Sequence, residues 1–158
     1  MTKELKQEYT LRISQANKTQ MVVLIYEMLL TYLDDVKVEL HRENYGEYRE
    51  YIQKAKNCVD ELVESLNLEF EIARNLMPLY TYVKKELIRA EIARKEEYVD
   101  HCIPIIKELH QAYLEVSKQD DSAPVMGNSQ TVFAGLTYSK GSLCESRNDG
   151  IGSRGYLV

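Results

Sequence analysis

The apolar positions of the first 118 residues recur at steps of three and four, which is the period of an amphipathic α-helix. This pattern predicts four long helices, bounded by about residues 17–43, 47–67, 69–92 and 95–117. The links between them are short and each helix has an apolar face, so neighbouring helices are expected to run antiparallel and bury those faces together. The predicted fold is therefore all-α, an antiparallel four-helix bundle.

A shorter apolar stripe precedes the bundle. Leu5, Tyr9 and Ile13 recur at steps of four and predict one helix within residues 1–16. A helix of this length is marginal on its own, so it must lean on another part of a protein. We expect a short accessory N-terminal helix, which we call the cap segment (residues 1–16).

Local signals mark where helices start and bend. The segments Asn17–Gln20 and Asn44–Glu47 have the spacing of a capping box, in which an asparagine side chain accepts a backbone hydrogen bond at the start of a helix. Pro78 and Pro104 lie inside the third and fourth predicted long helices. Each proline removes one backbone hydrogen bond and crowds the preceding turn, so a kink is expected near each of them.

The segment Met21–Leu30 is apolar on nearly every side, because Glu27 is its only polar residue. Such a helix must be covered on more than one side. Two interpretations stay open. The segment is either a central core helix enclosed by its neighbours, or one of its sides forms a groove for the amphipathic helix of a partner. In the second interpretation, the cap segment shields the groove when no partner is bound.

Composition changes near residue 118. Six of the seven glycines follow this point, which disfavours further long helices. We therefore expect three parts: the cap segment 1–16, a helical bundle of residues 17–118, and a mostly irregular C-terminal tail of residues 119–158. The tail also carries apolar and aromatic residues, so docking on the bundle or on another molecule stands beside disorder as an alternative.

Charge and hydropathy exclude several classes of protein. Twenty basic and 25 acidic side chains give a net charge of −5, whereas nucleic-acid binding needs a concentrated basic surface. No apolar run reaches the length of about 18 residues that can span a membrane. The charged N-terminus does not resemble a secretory signal. We expect a cytoplasmic protein that binds no nucleic acid and does not insert into membranes.

Residues that could carry catalysis or hold a metal are sparse. No glutamate precedes a histidine by three residues, so the Glu-x-x-His ligand pairs of di-iron bundles are missing. Cys58 and Cys102 lie on apolar stripes and are expected to be small core residues. The GxGxxG letters at Gly150–Gly155 have no helix after them and predict a loop. We expect no enzyme, with no catalytic residue, metal site or cofactor; a metal or cofactor bundle enzyme is the second alternative function.

Several short motifs follow one another in a recognisable order. The sequence LIYE at Leu24–Glu27 comes after Tyr9, Ile13 and Asn17, and IARNLMPLYTY follows at Ile72–Tyr82. The last two elements are LIRA at Leu87–Ala90 and the apolar positions Ile105, Ile106 and Leu109. Over about residues 5–117, this order and spacing resemble the flagellar export chaperone family, FliS.

The resemblance implies a cytoplasmic binding protein without catalysis. Members of this family bind flagellin before export, hold its C-terminal segment, which otherwise polymerises, and present the complex to the type III export gate. The implied fold is an antiparallel bundle of four main helices around which the client wraps. An N-terminal segment of the family covers part of the client site and is displaced.

Candidate binding residues follow from the resemblance together with the surplus of apolar surface. Three groups are expected, and the alternative for every member is packing within the bundle. They are Tyr9 and Ile13 in the cap or the client interface, Leu24, Ile25 and Tyr26 near the groove or its base, and Tyr80 and Tyr82 in a second contact strip. The first alternative function is a structural or regulatory bundle that self-associates through the Met21–Leu30 surface. The sequence leaves open which flagellin is bound and the oligomeric state of the free protein.

Overall fold

The computed structural model describes residues 1–126, which form five α-helices and no strand. The helices are α1 (Lys3–Gln15), α2 (Lys18–His41), α3 (Tyr45–Glu64), α4 (Glu71–Ala93) and α5 (Glu96–Ser117). The prediction of an all-α bundle with an accessory N-terminal helix is confirmed. The four long helices begin and end within three residues of the bounds predicted from the sequence.

The chain divides into two compact units, and the larger one is the helical bundle. This unit contains Met1 and residues Thr19–Asp121, and therefore nearly all of α2 together with α3, α4 and α5. The smaller unit contains Thr2–Lys18, which includes α1, and the described residues that follow Asp121. The rest of the predicted tail, residues 127–158, lies outside the described part of the chain, as does the loop predicted at Gly150–Gly155.

Polar side-chain contacts along the bundle show that neighbouring helices are antiparallel. From the beginning to the end of α2, its residues meet residues of α5 in descending order. The contacts are Glu27 with His110 at 3.4 Å, Lys37 with Asp100 at 2.6 Å, and His41 with Glu96 at 2.7 Å. Between α3 and α4, Lys56 pairs with Glu91 at 2.6 Å, and Asp60 pairs with Lys84. These polar contacts lie outside a continuous apolar core.

Tyrosine supplies much of the bulk of this core. Tyr26, Tyr48 and Tyr80 are the largest fully buried side chains of the described residues, and the chain has no tryptophan. A buried tyrosine needs a hydrogen-bond partner for its hydroxyl. The hydroxyl of Tyr48 donates to the Ala90 carbonyl oxygen at 2.6 Å, which ties α3 to the last turn of α4. Cys58 and Cys102 are buried, so their predicted place in the core is confirmed.

The three-and-four spacing of apolar residues also predicts that Ile72 of α4 and Ala112 of α5 point inward, and both predictions are wrong. Ile72 is 63% exposed, and Ala73 beside it is buried instead. Ile72 lies in the first turn of α4, at an end of the helix, where few neighbouring side chains are available to cover it. Ala112 is also exposed, because the fully buried side of α5 is carried by Val99, Cys102 and Ile106. The same spacing places four further residues of α5 inward, and each packs against the core only in part: Tyr98, Ile105, Leu109 and Tyr113.

The helix boundaries follow local chemistry. The predicted cap of α3 is confirmed, since the Glu47 backbone N–H donates to the Asn44 side-chain oxygen at 3.5 Å. Glu43 and Arg94, at the ends of α2 and α4, adopt left-handed backbone angles with φ of 57° and 53°. Both α4 and α5 continue through their prolines without a break in the helix. The kinks expected at those prolines stay a prediction.

In the smaller unit, the segment after α5 returns beside the link between α1 and α2. The Val125 backbone N–H donates to the Ala16 carbonyl oxygen at 2.9 Å. The Asn17 side-chain amide donates to the Ser122 carbonyl oxygen at 3.5 Å, and Asn17 is buried. The first described residues of the predicted tail are therefore bonded to this link. No helix within residues 1–126 has the length and apolar character that crossing a membrane requires.

Candidate functional site

The first half of α2 is covered on more than one side, as the sequence predicted. No residue from Met21 to Leu30 is exposed. Val22, Tyr26 and Leu29 belong to the core cluster of the bundle. Val23 and Leu24 are only 5% and 3% exposed, yet they are not part of that cluster.

Helix geometry explains this division. At 3.6 residues per turn, Leu24 lies about 160° around α2 from Tyr26. A side chain in that position cannot share the core that surrounds Tyr26. We call the side of α2 that carries Val23 and Leu24 the outer side of α2. Because it is already covered, a ligand can reach it only after its cover is removed.

The core side of α2 is fixed by a tyrosine pair. The hydroxyl oxygens of Tyr26 and Tyr80 lie 2.5 Å apart, and the two side chains are 0% and 1% exposed. The ring of Tyr113 meets that of Tyr26 edge-on, with 5.7 Å between the ring centroids. Burial raises the pKa of Tyr26, and it raises the pKa of Tyr80 to about 12. Both hydroxyls are therefore neutral at physiological pH and hold α2 and α4 together.

The predicted site residues are consequently not on one surface. Tyr26 and Tyr80 meet in the core, and Leu24 lies on the outer side of α2. Ile25 is partly buried against the core. Tyr82, only two residues after Tyr80, is 41% exposed, because two residues correspond to about 200° of rotation in a helix.

Tyr9 and Ile13 lie in the smaller unit, on α1. Tyr9 is 6% exposed and Ile13 is partly buried. The Arg12 guanidinium lies 5.7 Å from the centroid of the Tyr9 ring, within the range of a cation–π contact. The stripe predicted from steps of four thus contains one almost fully covered aromatic residue. Its role in a cap or a client interface stays a prediction.

Three buried titratable side chains of the described residues have shifted pKa values. Glu86 is 1% exposed, and its two carboxylate oxygens lie 2.5 Å from His101 Nδ1 and 2.5 Å from Arg89 Nη1. The hydrogen bond from His101, assisted by Arg89, lowers the pKa of Glu86. Burial raises the thiol pKa of Cys58 and of Cys102 to about 12, so neither is a ready nucleophile. Within residues 1–126, no three His, Cys, Asp or Glu side chains gather closely enough to hold a metal ion.

Val23 was not among the predicted site residues, although it lies within the same apolar run as Leu24. The signal was present: in a helix with one core side, residues about 100° and more from that side should be polar. Val23 and Leu24 break this rule together, and their burial outside the core cluster makes them the most distinctive pair on α2.

Comparison with known families identifies the family of this chain. Residues 1–120 match the family model described as flagellar protein FliS. The chain belongs to this family. FliS proteins are flagellar export chaperones, and membership implies binding of a flagellin-type client. No curated protein matches the sequence. The FliS match includes all five helices and ends shortly after α5.

Proposed function

We propose that this FliS protein is a cytoplasmic chaperone that binds the C-terminal segment of flagellin, prevents its premature polymerisation and presents it to the type III export gate. The family supports the class of function. The observation that carries the finer proposal is the second buried side of α2, where Val23 and Leu24 lie outside the bundle core. An apolar side that the bundle itself does not use is suited to a partner's amphipathic helix.

The driving force of this binding is burial of apolar surface. Each square ångström removed from water contributes about 25 cal/mol, reduced by the cost of ordering the client segment. Because the outer side of α2 is covered in the free protein, the client has to compete with that cover. Such competition lowers the apparent affinity for the client in proportion to the fraction of molecules in which the outer side of α2 is uncovered. A chaperone that must release its client for export benefits from this reduction.

We propose further that the cap segment, with Tyr9 and Ile13, is the part of the chain that the client displaces. Deletion of residues 2–16 tests this role. If the proposal is right, the truncated protein binds the client peptide more tightly and exposes more apolar surface to a hydrophobic dye. Unchanged client affinity together with unchanged dye binding contradicts the cap role.

The decisive experiment is a calorimetric titration of the full chain with a peptide covering the C-terminal segment of flagellin from the same cell. We expect a 1:1 complex with a clearly negative heat-capacity change, the mark of apolar burial. Leu24→Ala should weaken binding by about tenfold, since it truncates a central apolar contact. Val116→Ala is the matched control, because Val116 is an aliphatic residue 55% exposed on α5.

The two variants must also be compared for stability. Leu24 is buried, so its truncation costs some free energy of unfolding, and urea unfolding shows whether each variant stays folded at the titration temperature. A second assay follows flagellin polymerisation by light scattering. Stoichiometric amounts of the wild-type protein should suppress it, and Leu24→Ala should suppress it less. A folded protein that neither binds the peptide nor slows polymerisation refutes the proposal, and a stable dimer would then favour self-association through Met21–Leu30.

A further inference from the structure

The side of α4 that faces away from the core carries an exposed apolar stripe. Tyr82, Ile88 and Ile92 are 41%, 41% and 79% exposed. Their spacing of six and four residues places them within about 120° of one another around the helix. Large apolar side chains that share an exposed side mark a surface for another molecule more often than single exposed residues do.

Basic side chains lie within this stripe. Lys85 and Arg89 occupy the turns between Tyr82 and Ile92, and both are exposed. Arg89 contacts Glu86 through one nitrogen, but its side chain is still 59% exposed. In the described part of the chain, Lys85 has no carboxylate within 4.0 Å. We call these residues, Tyr82, Lys85, Ile88, Arg89 and Ile92, the α4 ridge.

The nearby acidic residues neutralise the ridge only in part. Glu86 is buried and contacts both His101 of α5 and Arg89 of the ridge, while Glu91 is paired with Lys56 of α3 at 2.6 Å. Lys85 therefore keeps the ridge basic as well as apolar, although the whole chain has a net charge of −5. A ligand that matches it must supply apolar side chains flanked by carboxylates, because complementary charge selects the partner and speeds its encounter.

We propose that the α4 ridge binds an acidic amphipathic helix of a second protein. The ridge extends over ten residue steps, about 15 Å, which matches a helix of three turns. A second copy of this chain is disfavoured, because two ridges packed around a two-fold axis would oppose Lys85 and Arg89 with their own copies. The exposed side of α3 offers acids, Glu47, Glu50, Glu61 and Glu64, but no exposed large apolar residue beyond Tyr45 to pair with the stripe.

This inference does not require flagellin to be the client. Tyr82 was predicted as a client contact, but the acidic helix is defined here by the chemistry of α4 alone. The probe is therefore a designed peptide of about three to four helical turns, with leucines at steps of three and four and glutamates beside them. A matched peptide carries lysine in place of every glutamate. Nuclear magnetic resonance of the full chain maps where each peptide binds.

The acidic peptide should shift the backbone signals of residues 82–92 and bind about tenfold more tightly than the basic one. Lys85→Glu should reverse this preference, and Ile92→Ser should weaken the binding of both peptides. The controls Lys107→Glu and Val116→Ser, exposed positions of α5, should change neither. All four sites are exposed, so the fold should tolerate the changes.

Two results would overturn the inference: equal binding of the acidic and basic peptides, or binding whose signals map to helices other than α4. The flagellin titration is read separately on the same variants. If the designed peptide binds α4 but flagellin peptide does not bind at all, the chaperone proposal fails and the ridge stands. If the flagellin peptide binds and the designed acidic peptide does not, the proposal for the α4 ridge fails and the chaperone proposal stands.

Discussion

Tyr26 of α2 and Tyr80 of α4 meet through their hydroxyl oxygens, 2.5 Å apart, in the fully buried centre of the bundle. One hydroxyl donates and the other accepts, so each satisfies a polar group that water cannot reach. The two helices that this tyrosine pair joins, α2 and α4, are not consecutive in the chain. The pair therefore acts as a specific polar link between two helices within the core.

The first prediction concerns this pair. Tyr26→Phe or Tyr80→Phe alone should lower the free energy of unfolding by about 1–3 kcal/mol, because one buried hydroxyl loses its partner. The double variant should cost less than the sum of the two single variants, since no orphaned hydroxyl remains. Urea unfolding of all four proteins measures the coupling. Additive losses would mean that the two hydroxyls do not depend on each other.

A second prediction follows for alkaline pH. The pKa of Tyr80 is raised to about 12, and that of Tyr48 to about 12, mainly by burial. In the unfolded chain a tyrosine ionises near pH 10. Above that pH the unfolded state has lost protons that the folded state keeps, so stability falls as pH rises, by up to about 1.4 kcal/mol per pH unit for each such group.

The double variant Tyr26→Phe, Tyr80→Phe separates this effect from general alkaline denaturation. It should lose stability less steeply than the wild type between pH 10 and about pH 12. Tyr82→Phe, a change at an exposed tyrosine, is the control and should retain the wild-type slope. Urea midpoints measured at several pH values give the slopes. Identical slopes for the double variant and the wild type would contradict the prediction.

A third prediction concerns acid. Hydrogen bonds from His101 and Arg89 lower the pKa of the buried Glu86. This stabilisation is complete above the unfolded pKa of about 4.3 and is lost as pH falls through the lower folded value. Glu86→Gln should cost about 1.5–3 kcal/mol at pH 7, the range for hydrogen bonds to a charged group, and should show a shallower loss of stability in acid. The control Glu108→Gln, at an exposed site of α5, should change neither the stability at pH 7 nor the loss of stability in acid.

A fourth prediction concerns Glu43, a left-handed residue two positions after the end of α2. Glu43 has a φ of 57°, a conformation that costs a residue with a Cβ roughly 1–2 kcal/mol but costs glycine almost nothing. Glu43→Gly should therefore stabilise the protein by about 1 kcal/mol, while Glu43→Ala should leave it nearly unchanged. Thermal unfolding compares the two. A glycine variant no more stable than the alanine variant would show that the angle carries no such cost.

Arg94, the first residue after α4, offers a comparison, with a φ of 53°. Its guanidinium lies 4.1 Å from the centroid of the Tyr45 ring. Arg94→Gly removes the backbone cost and this cation–π contact together, and such contacts contribute about 0.5–1 kcal/mol at exposed sites. The gain at Arg94 should therefore be smaller than at Glu43. A gain as large at both positions would argue against a contribution from the contact.

The helices were predictable because their signals are local. Asn44 supplies the cap of α3, and Gly46 follows in its first turn. The apolar stripe of α3 has one clear period, so the residues of α3 that are buried agree with the prediction. The stripe of α5 is broader. Ile105 and Ile106 are adjacent and both apolar, and the pattern favoured Ile105 as the inward residue. In the folded bundle Ile106 is fully buried and Ile105 only in part.

The candidate site was less predictable than the fold. The apolar run on α2 correctly indicated burial on two sides, but its periodicity could not separate core residues such as Tyr26 from Leu24 on the outer side. The motif containing Tyr80 and Tyr82 suggested one strip, whereas the rotation of a helix places one tyrosine in the core and leaves the other exposed. The sequence left docking of the tail open as an alternative, but it could not locate the bond to Ala16, because a single backbone hydrogen bond requires no particular side chain.

The pairing of α2 with α5 has a consequence for synthesis on the ribosome. The contact between Glu27 and His110 joins positions 83 residues apart. At about 5–20 residues per second, the apolar half of α2 is made roughly 4–17 s before the helix that packs along it. During this interval the apolar half of α2 lacks the helix that covers it in the folded protein. A protein that belongs to a chaperone family thus exposes, while it is being translated, an apolar segment of its own.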